Sequence, residues 1–202
     1  MTTQPAPVLQ LPGAGLPWWE LLITRYILLP LGCRSLSWAD ADRLFQKEGA
    51  KIVARWDGLS PEQLAERVLI QRVQGIEDSS RNWSVAMTVE HLNIVGRGIG
   101  GVVAGLQQGK LPVRNARIQD VKPTGKIAAA AVREGFAQLL DDSAASPTPP
   151  VPRGEGLRAP HPWFGPMDAH TWHCLRAFHH RIHRVQIEAI IAGLRPAGGG
   201  AR

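Results

Sequence analysis

Two histidines four residues apart, His179 and His183, stand in a strongly helical segment near the C-terminus. Residues at positions i and i+4 of an α-helix lie one above the other on the same face. Both imidazoles can therefore reach one metal ion, and His91, the first histidine of the chain, is a candidate third ligand from another helix. Structural zinc sites close with four protein ligands, whereas three ligands leave a position for water or substrate. The spacing therefore predicts a catalytic metal site.

Helical projection sorts the histidines of the last predicted helix, 168–194, into two groups. His179 and His183 lie on a stripe next to the predicted core face, together with Gln186. His170, His173 and His180 are predicted to face solvent, although His180 remains a rival to His179 because it stands three residues before His183. The predicted core face of this helix consists of Leu175, Phe178, Ile182, Val185 and Ala189.

His91 lies on the apolar side of its predicted helix, opposite Glu90, Asn93 and Arg97. A single histidine on such a face is more often a core residue with one hydrogen bond than a ligand. Three imidazoles buried together would lose hydration, and their charged forms would repel one another. Metal coordination removes both problems, so we predict His91, His179 and His183 as the metal ligands. A bundle with buried neutral histidines and no metal remains the alternative.

Helices account for the chain on both sides of these residues. Ser37 is a predicted N-cap, and the Ser60–Gln63 sequence (SPEQ) begins a short helix with a capping box and an early proline. Thr124 is predicted to cap a later helix, and Pro30 with Gly32 to end the first one. No repeat or strand alternation is evident, which indicates an all-α bundle. The long predicted helices cover 17–29, 38–56, 84–108, 125–142 and 168–194.

The predicted organisation is a single bundle with extensions. Residues 1–35 form an N-terminal extension with one apolar helix, which is expected to pack on the domain or on a partner chain. Residues 36–195 form the bundle, in which 143–166 is a long connection rich in Pro and Gly. Residues 196–202 are predicted to be a disordered tail.

Composition limits the classes of function. The formal charge is +6, but no run of basic residues alternates with aromatic residues, so no nucleic-acid partner is expected. Cys33 and Cys174 form neither a metal motif nor a disulfide framework, which favours a reducing cytoplasm. The apolar stretch 16–29 contains Glu20 and Arg25 and is too short to span a bilayer, so no membrane partner is expected.

Several other residues have weaker expectations. Glu48 is expected to reach water at the edge of an apolar stripe, with a supporting role beside the metal as the alternative. His161 is expected to pack on Trp163 in a loop. Cys174 projects away from the histidine pair and is not expected to bind the metal. Three tryptophans are expected in the core: Trp38, Trp56 and Trp83.

Three stretches together resemble the DinB-like superfamily of bacterial four-helix metalloproteins. Residues 83–92 (WSVAMTVEHL) match a helix of this family that ends in His-Leu. Residues 161–167 (HPWFGPM) are similar to the His-Pro-x-Phe-Gly approach to the last helix. Residues 179–187 (HHRIHRVQI) are similar to the pattern His-x-x-x-His-x-x-Gln-Ile. The helix order agrees over about 36–195, which is most of the chain.

The resemblance implies an up-down-down-up four-helix bundle, usually dimeric, in which His91, His179 and His183 hold a divalent metal such as Zn, Ni, Mn or Fe. Relatives include thiol-dependent S-transferases, isomerases and metal-dependent hydrolases. The expected function is therefore an enzyme in which the metal activates water, or a low-molecular-weight thiol cofactor, for reaction with a small-molecule substrate. The alternative is a non-catalytic, metal-binding or stress-linked bundle that acts through protein–protein contacts. The chain departs from the family in its first 35 residues, its glycine-rich second long helix and its 143–166 connection.

Overall fold

The computed structural model describes residues 8–113, 117–144 and 151–194. The predicted tail 196–202 and parts of the N-terminal extension and of the 143–166 connection lie outside these ranges. The described chain is mainly helical, as predicted. Its helices are α1 (Trp18–Ile23), a π-helical turn (Thr24–Leu28), α2 (Leu29–Ser35), α3 (Trp38–Asp57), α4 (Pro61–Ala65), α5 (Val85–Gln107), α6 (Ala129–Ala144) and α7 (Ala169–Gly193), with 3-10 turns at Asp78–Ser80 and Ile118–Val121.

Two short antiparallel strand pairs, absent from the sequence prediction, tie down the long connections. Strands β1 (Val68–Leu69) and β2 (Asn82–Trp83) close the segment before α5. Strands β3 (Ala159–His161) and β4 (Gly165–Met167) form a hairpin that leads into α7. Strands of two or three residues are too short to show the alternation by which a strand is recognised in a sequence.

The predicted helix starts at Ser37, Ser60 and Ser84 are confirmed, because each serine side chain accepts a hydrogen bond from the backbone three residues later. The prediction for Thr124 is wrong, since α6 begins at 129. The Thr124 amide and hydroxyl instead donate to the Glu90 carboxylate, each at 2.8 Å. Thr124 thus supplies hydrogen bonds to a buried carboxylate of α5 and does not cap the free backbone amides at the start of a helix.

The prediction that the first helix ends at Pro30 and Gly32 is wrong, because the helix continues to Ser35. A proline lacks the backbone donor that an α-helix interior needs. The π-helical turn Thr24–Leu28 changes the hydrogen-bond pattern just before Pro30, so that proline falls in the first turn of α2. Within the π-helical turn the Leu29 amide donates to the Thr24 carbonyl, five residues back, so the backbone pairing shifts directly before the residue that has no donor.

This N-terminal helix, residues 18–35, buries its one acidic side chain and exposes most of its large apolar side chains. Glu20 is buried and accepts hydrogen bonds from Arg72 (2.5 Å) and from the Gly75 amide (2.6 Å). Leu29 and Cys33 also face the bundle. The exposed large side chains of this helix are Trp18, Trp19, Leu22, Ile23, Tyr26, Ile27, Leu28 and Leu31.

Helices α3 and α7 run parallel, although about 130 residues separate them. Arg176 pairs with Asp42 at 3.3 Å near the start of both helices. Further along both helices Arg184 pairs with Glu48. Glu48 is therefore buried in an ion pair, and the expectation that it reaches water is wrong.

The other contacts define the direction of each long helix. Helix α6 runs antiparallel to α3, because Arg133 contacts Asp57 near the end of α3 whereas Leu140 accepts a hydrogen bond from Gln46 near its middle. Helix α5 runs parallel to α6, since Asn93 donates to the Val132 carbonyl, and Arg97, one turn later, donates to the Gly135 carbonyl. The order of the four long helices is therefore up-down-down-up.

The core face of α7 is not the predicted one. Val185 is 39% exposed, and Phe178 and Ile182 are only half-buried, whereas His173 and His180 are 2% and 1% exposed. His170 is buried as well, so the prediction that these three histidines face solvent is wrong. The apolar stripe indicates a core face in the sequence because apolar side chains usually face inward. In this helix the polar residues meet partners on α2 and α3, and much of the apolar stripe lines a cavity.

Candidate metal centre

The three predicted histidines meet at their Nε2 atoms. His179 Nε2 lies 3.3 Å from His91 Nε2 and 3.1 Å from His183 Nε2. One ligand nitrogen from each ring falls within 4.8 Å of the others. Helices α5 and α7 bring them together because the two helices pack antiparallel at this level. His180, the rival of His179, stacks on Phe45 on the other side of α7 and does not join the cluster.

The backbone fixes the orientation of the His91 ring. Its Nδ1–H donates to the Val121 carbonyl at 2.7 Å, within the 3-10 turn Ile118–Val121. A carbonyl oxygen can only accept, so the proton of neutral His91 is on Nδ1. The lone pair of Nε2 therefore points into the cluster.

A glutamine fixes His183 in the same way. His183 Nδ1–H donates to Gln186 Oε1 at 2.6 Å, and Gln186 Nε2 donates to the Ser80 carbonyl at 2.8 Å. The second bond determines which end of the amide faces the imidazole. Such outer partners fix the tautomer and direction of histidine ligands in metal sites. His183, like His91, thus presents an Nε2 lone pair to His179.

The cluster therefore has more acceptors than protons. A proton on His179 Nε2 could be donated to His91 or to His183, but it cannot satisfy both nitrogens well. Imidazole nitrogens bound to one zinc ion at about 2.0–2.1 Å lie roughly 3.0–3.4 Å apart. The observed separations of 3.1 and 3.3 Å agree with that range. The donor set fits a first-row divalent metal held by three neutral imidazoles.

Burial keeps the three rings neutral, which is the form that binds metal. Desolvation lowers the pKa of His91 from its ordinary 6.5 to about 4. Desolvation also holds the pKa values of His179 and His183 well below 6.5, and the neighbouring histidines lower them further. Protons therefore compete weakly with a metal for these nitrogens near neutral pH.

Trp83 forms a rigid wall behind the cluster. Its ring centroid lies 5.2 Å from that of His91 and 6.3 Å from that of His183, nearly parallel to the latter. Lys122 lies over the Trp83 ring, with Nζ 5.4 Å from the ring centroid, and forms an ion pair with a Glu77 carboxylate oxygen at 2.6 Å. The expectation that Trp83 is buried is confirmed.

Sequence reasoning brought His91, His179 and His183 together but missed most of the groups that orient their rings. Gln186 shares the histidine stripe, and its spacing of three residues from His183 was a usable signal for its role. Val121 and Ser80 act through backbone carbonyls, which every residue carries, so no side-chain pattern could reveal them. His161 meets the Trp163 ring edge-on at 6.3 Å, as predicted, accepts a hydrogen bond from the Trp163 amide at 3.1 Å, and also stacks on Phe164 at 4.6 Å.

The cluster opens into a cavity of roughly 1340 Å³. All three histidines line it, together with the N-terminal helix, the turn at 118–121 and the β3–β4 hairpin. Much of its wall on α7 is the apolar stripe that sequence reasoning assigned to the core. The site is thus accessible to a ligand rather than enclosed in the bundle.

No protein-family model matches the chain, and no curated protein matches it. Among solved structures, the crystal structure of TT2238, a four-helix bundle protein, is similar with a TM-score of 0.48 and 19% identity. The match covers 76% of this chain and 99% of that one. Within the described residues, no helix combines the length and apolar character needed to cross a membrane.

Proposed function

We propose that this protein is a metal-dependent enzyme in which His91, His179 and His183 hold one divalent ion. The observation that carries the proposal is the meeting of three Nε2 atoms, two of which present lone pairs to the third. Without a cation, a proton on His179 Nε2 could pair well with only one of these two lone pairs, and the other would face an imidazole nitrogen without a hydrogen bond. The open cavity beside the cluster favours an enzyme over a closed, non-catalytic site.

The chemistry would be that of a Lewis acid: when bound, the ion would lower the pKa of water or of a thiol cofactor. The protein contributes the rest. Val121, and Gln186 with Ser80, hold two imidazoles in the metal-binding tautomer. Trp83 covers the back of the cluster, which leaves the cavity as the direction of approach for a substrate.

The likeness to DinB-like proteins narrows the proposed reaction to thiol S-transfer or hydrolysis on a small molecule. The same likeness supports a homodimer in the cytoplasm. The exposed apolar face of the N-terminal helix also supports the dimer, because a contiguous surface of this kind commonly marks a protein interface.

Elemental analysis of untagged protein, wild type beside His91→Ala, tests the metal assignment first. We expect about one Zn, Ni, Mn or Fe per wild-type chain, as a three-ligand site predicts, and a loss of that metal in the variant. His161→Ala is the control, because it also removes a half-buried cavity histidine but leaves the cluster intact. Wild-type protein that takes up no metal after reconstitution would contradict the proposal.

A reaction screen then separates the two chemistries. The metal-loaded wild type is assayed for conjugation of low-molecular-weight thiols to electrophiles and for hydrolysis of esters and amides. We expect activity to be lost in His91→Ala and kept in Gln138→Leu, which changes an exposed residue of α6 that does not line the cavity. Full metal occupancy without any activity in either screen would favour the non-catalytic metal-binding alternative.

A further inference from the structure

We propose that the cavity binds an amphipathic carboxylate of the fatty-acid class, with its carboxylate end at the histidine cluster and its chain along the cavity. This inference rests on the proposed metal site and names the ligand class of that site. It follows from the direction, the lining, the charge and the free space of the cavity.

The cavity extends away from the histidines along two helices. On α5 its lining runs from His91 to Val102, and on α7 from His183 back to Trp172. Because α5 and α7 are antiparallel, both stretches extend in the same direction from the cluster. Each stretch contains twelve residues, so its ends lie eleven helical steps, or about 16 Å, apart. A ligand that reaches the histidines can therefore extend well beyond them.

The walls along this length are mainly apolar, and Arg181 is the charged residue that α7 adds to the lining. Helix α5 contributes mainly aliphatic groups, α7 contributes aliphatic and aromatic ones, and the N-terminal helix covers one side. A cavity of about 300–1000 Å³ already holds a drug-sized ligand, and this one is larger. Apolar residues that line it include Leu16, Ile23, Ile94, Val95, Ile99, Val102, Phe164, Leu175, Phe178 and Ile182.

The charges of the cavity favour an anionic group at the cluster. Three neutral imidazoles would leave the charge of a divalent ion uncompensated, and a carboxylate would be attracted to it. The carboxylates among the described lining residues are already engaged with cations. The pairs are Glu20 with Arg72 (2.5 Å), Glu77 with Lys122 (2.6 Å) and Asp120 with Arg117 (2.7 Å).

Glycines on α5 keep the cavity wide. Gly98 lies two turns from His91 on the same helix face and lines the cavity, as does Gly101. A Cβ atom added at either position would meet no atom within 4 Å. Gly100 would leave the same free space around an added Cβ but does not line the cavity. The chain therefore offers a cavity-filling position and a matched control two residues apart.

The test titrates a dansyl-labelled undecanoate into the metal-loaded full chain and follows probe fluorescence. We expect saturable binding to the wild type, about tenfold or more weaker binding to Gly98→Phe, and less than about twofold change for Gly100→Phe. Both substitutions replace a helical glycine, which raises helix propensity. Circular dichroism and metal content verify that each variant is folded and loaded.

A second titration locates the carboxylate. The matching dansyl-labelled alcohol should bind the metal-loaded protein about tenfold more weakly than the acid, and His91→Ala should abolish that preference. Equal binding of acid and alcohol to the loaded wild type would overturn the placement of the head group. Equal effects of Gly98→Phe and Gly100→Phe would overturn the placement of the chain.

The failure of this inference is distinguishable from failure of the proposed function. Full metal occupancy without saturable probe binding overturns the ligand class and leaves the metal site standing; a second copy of the chain that fills the cavity would give this result. Absence of metal in the wild type overturns the proposed function, and the carboxylate placement with it.

Discussion

Helix α7 carries two pairs of buried histidines that differ in what their ring nitrogens face. His170 and His173 near its start donate to backbone carbonyls at 3.1 and 3.2 Å. His179 and His183, two to three turns later, direct their Nε2 atoms toward other imidazole nitrogens. All four rings are largely shielded from solvent. Burial alone therefore does not separate the two pairs, whereas the atoms that their ring nitrogens face do, and this difference supports the proposed metal assignment.

Removal of one histidine from each pair should give opposite results, and this is the largest expected effect. His183→Ala should weaken metal binding by more than about 100-fold. It should change folding little, because the space it leaves opens into the cavity, where water can pair with Gln186. His173→Ala should keep the metal but lower the free energy of unfolding of the metal-free chain by about 2 kcal/mol, since it leaves a void and an unpaired carbonyl. Metal titration and urea unfolding of both variants measure these two effects. Equal metal retention in the two variants would contradict the proposed difference between the histidine pairs.

Acid should destabilise the metal-free chain through its buried histidines. Burial lowers the pKa of His91 to about 4 and that of His180 to about 3, whereas an unfolded histidine titrates near 6.5. Between these values the unfolded chain binds more protons, so the free energy of unfolding falls as pH drops below about 6.5, by up to about 1.4 kcal/mol per pH unit for each such histidine.

Urea unfolding at about pH 7 and about pH 5 measures this loss. His180→Phe removes one of the histidines whose pKa is lowered by burial and should flatten the pH dependence by its share. A free energy of unfolding that is unchanged between these pH values would show that the histidines are not protected as the packing indicates.

Loss of the outer hydrogen bond should have a smaller effect than loss of a ligand. Gln186→Leu removes the group that fixes the His183 tautomer and leaves the Ser80 carbonyl without its donor. Metal affinity should fall about 10- to 100-fold. Competition with a chelator of known affinity measures the change. Gln138→Leu, at an exposed position of α6, is the control. An unchanged affinity would mean that packing against Trp83 alone orients His183.

The smallest effect concerns His180, which belongs to neither pair. It stacks on Phe45 at 4.0 Å, and within the described chain neither of its buried ring nitrogens makes a hydrogen bond of good geometry. His180→Phe should keep the metal content and raise the free energy of unfolding at neutral pH by about 1 kcal/mol or less, because a buried polar group is replaced by an apolar ring. Loss of metal in this variant would place His180 in the site.

Short-range sequence patterns predicted where the helices begin better than they predicted which face of each helix is buried. Capping at Ser37, Ser60 and Ser84 depends on residues three positions apart, so the sequence contains the whole interaction. The buried face of α7 depends on residues more than 130 positions away. The Trp38 carbonyl accepts a hydrogen bond from His173, and Asp42 forms a salt bridge with Arg176. No periodicity within α7 can show that these polar residues have partners.

The candidate site shows the same division. His179 and His183 are paired by helical spacing alone, and His91 was found because a polar residue interrupted an apolar stripe. The cavity was not foreseen, because Phe178, Ile182 and Val185 look like core residues when only one helix is considered. Whether an apolar stripe meets another helix or an open space is decided by the N-terminal helix and the hairpin, which are distant in the chain.

The parallel pairing of α3 with α7 also has a consequence for how the chain reaches its native state. The contacts between these helices join residues such as Glu48 and Arg184, which are 136 positions apart. Closure of so long a segment costs conformational entropy before the contacts can form. High contact order slows folding, so this bundle should fold more slowly than one of similar size whose neighbouring helices are joined by short loops. The slow step should be the docking of the last helix.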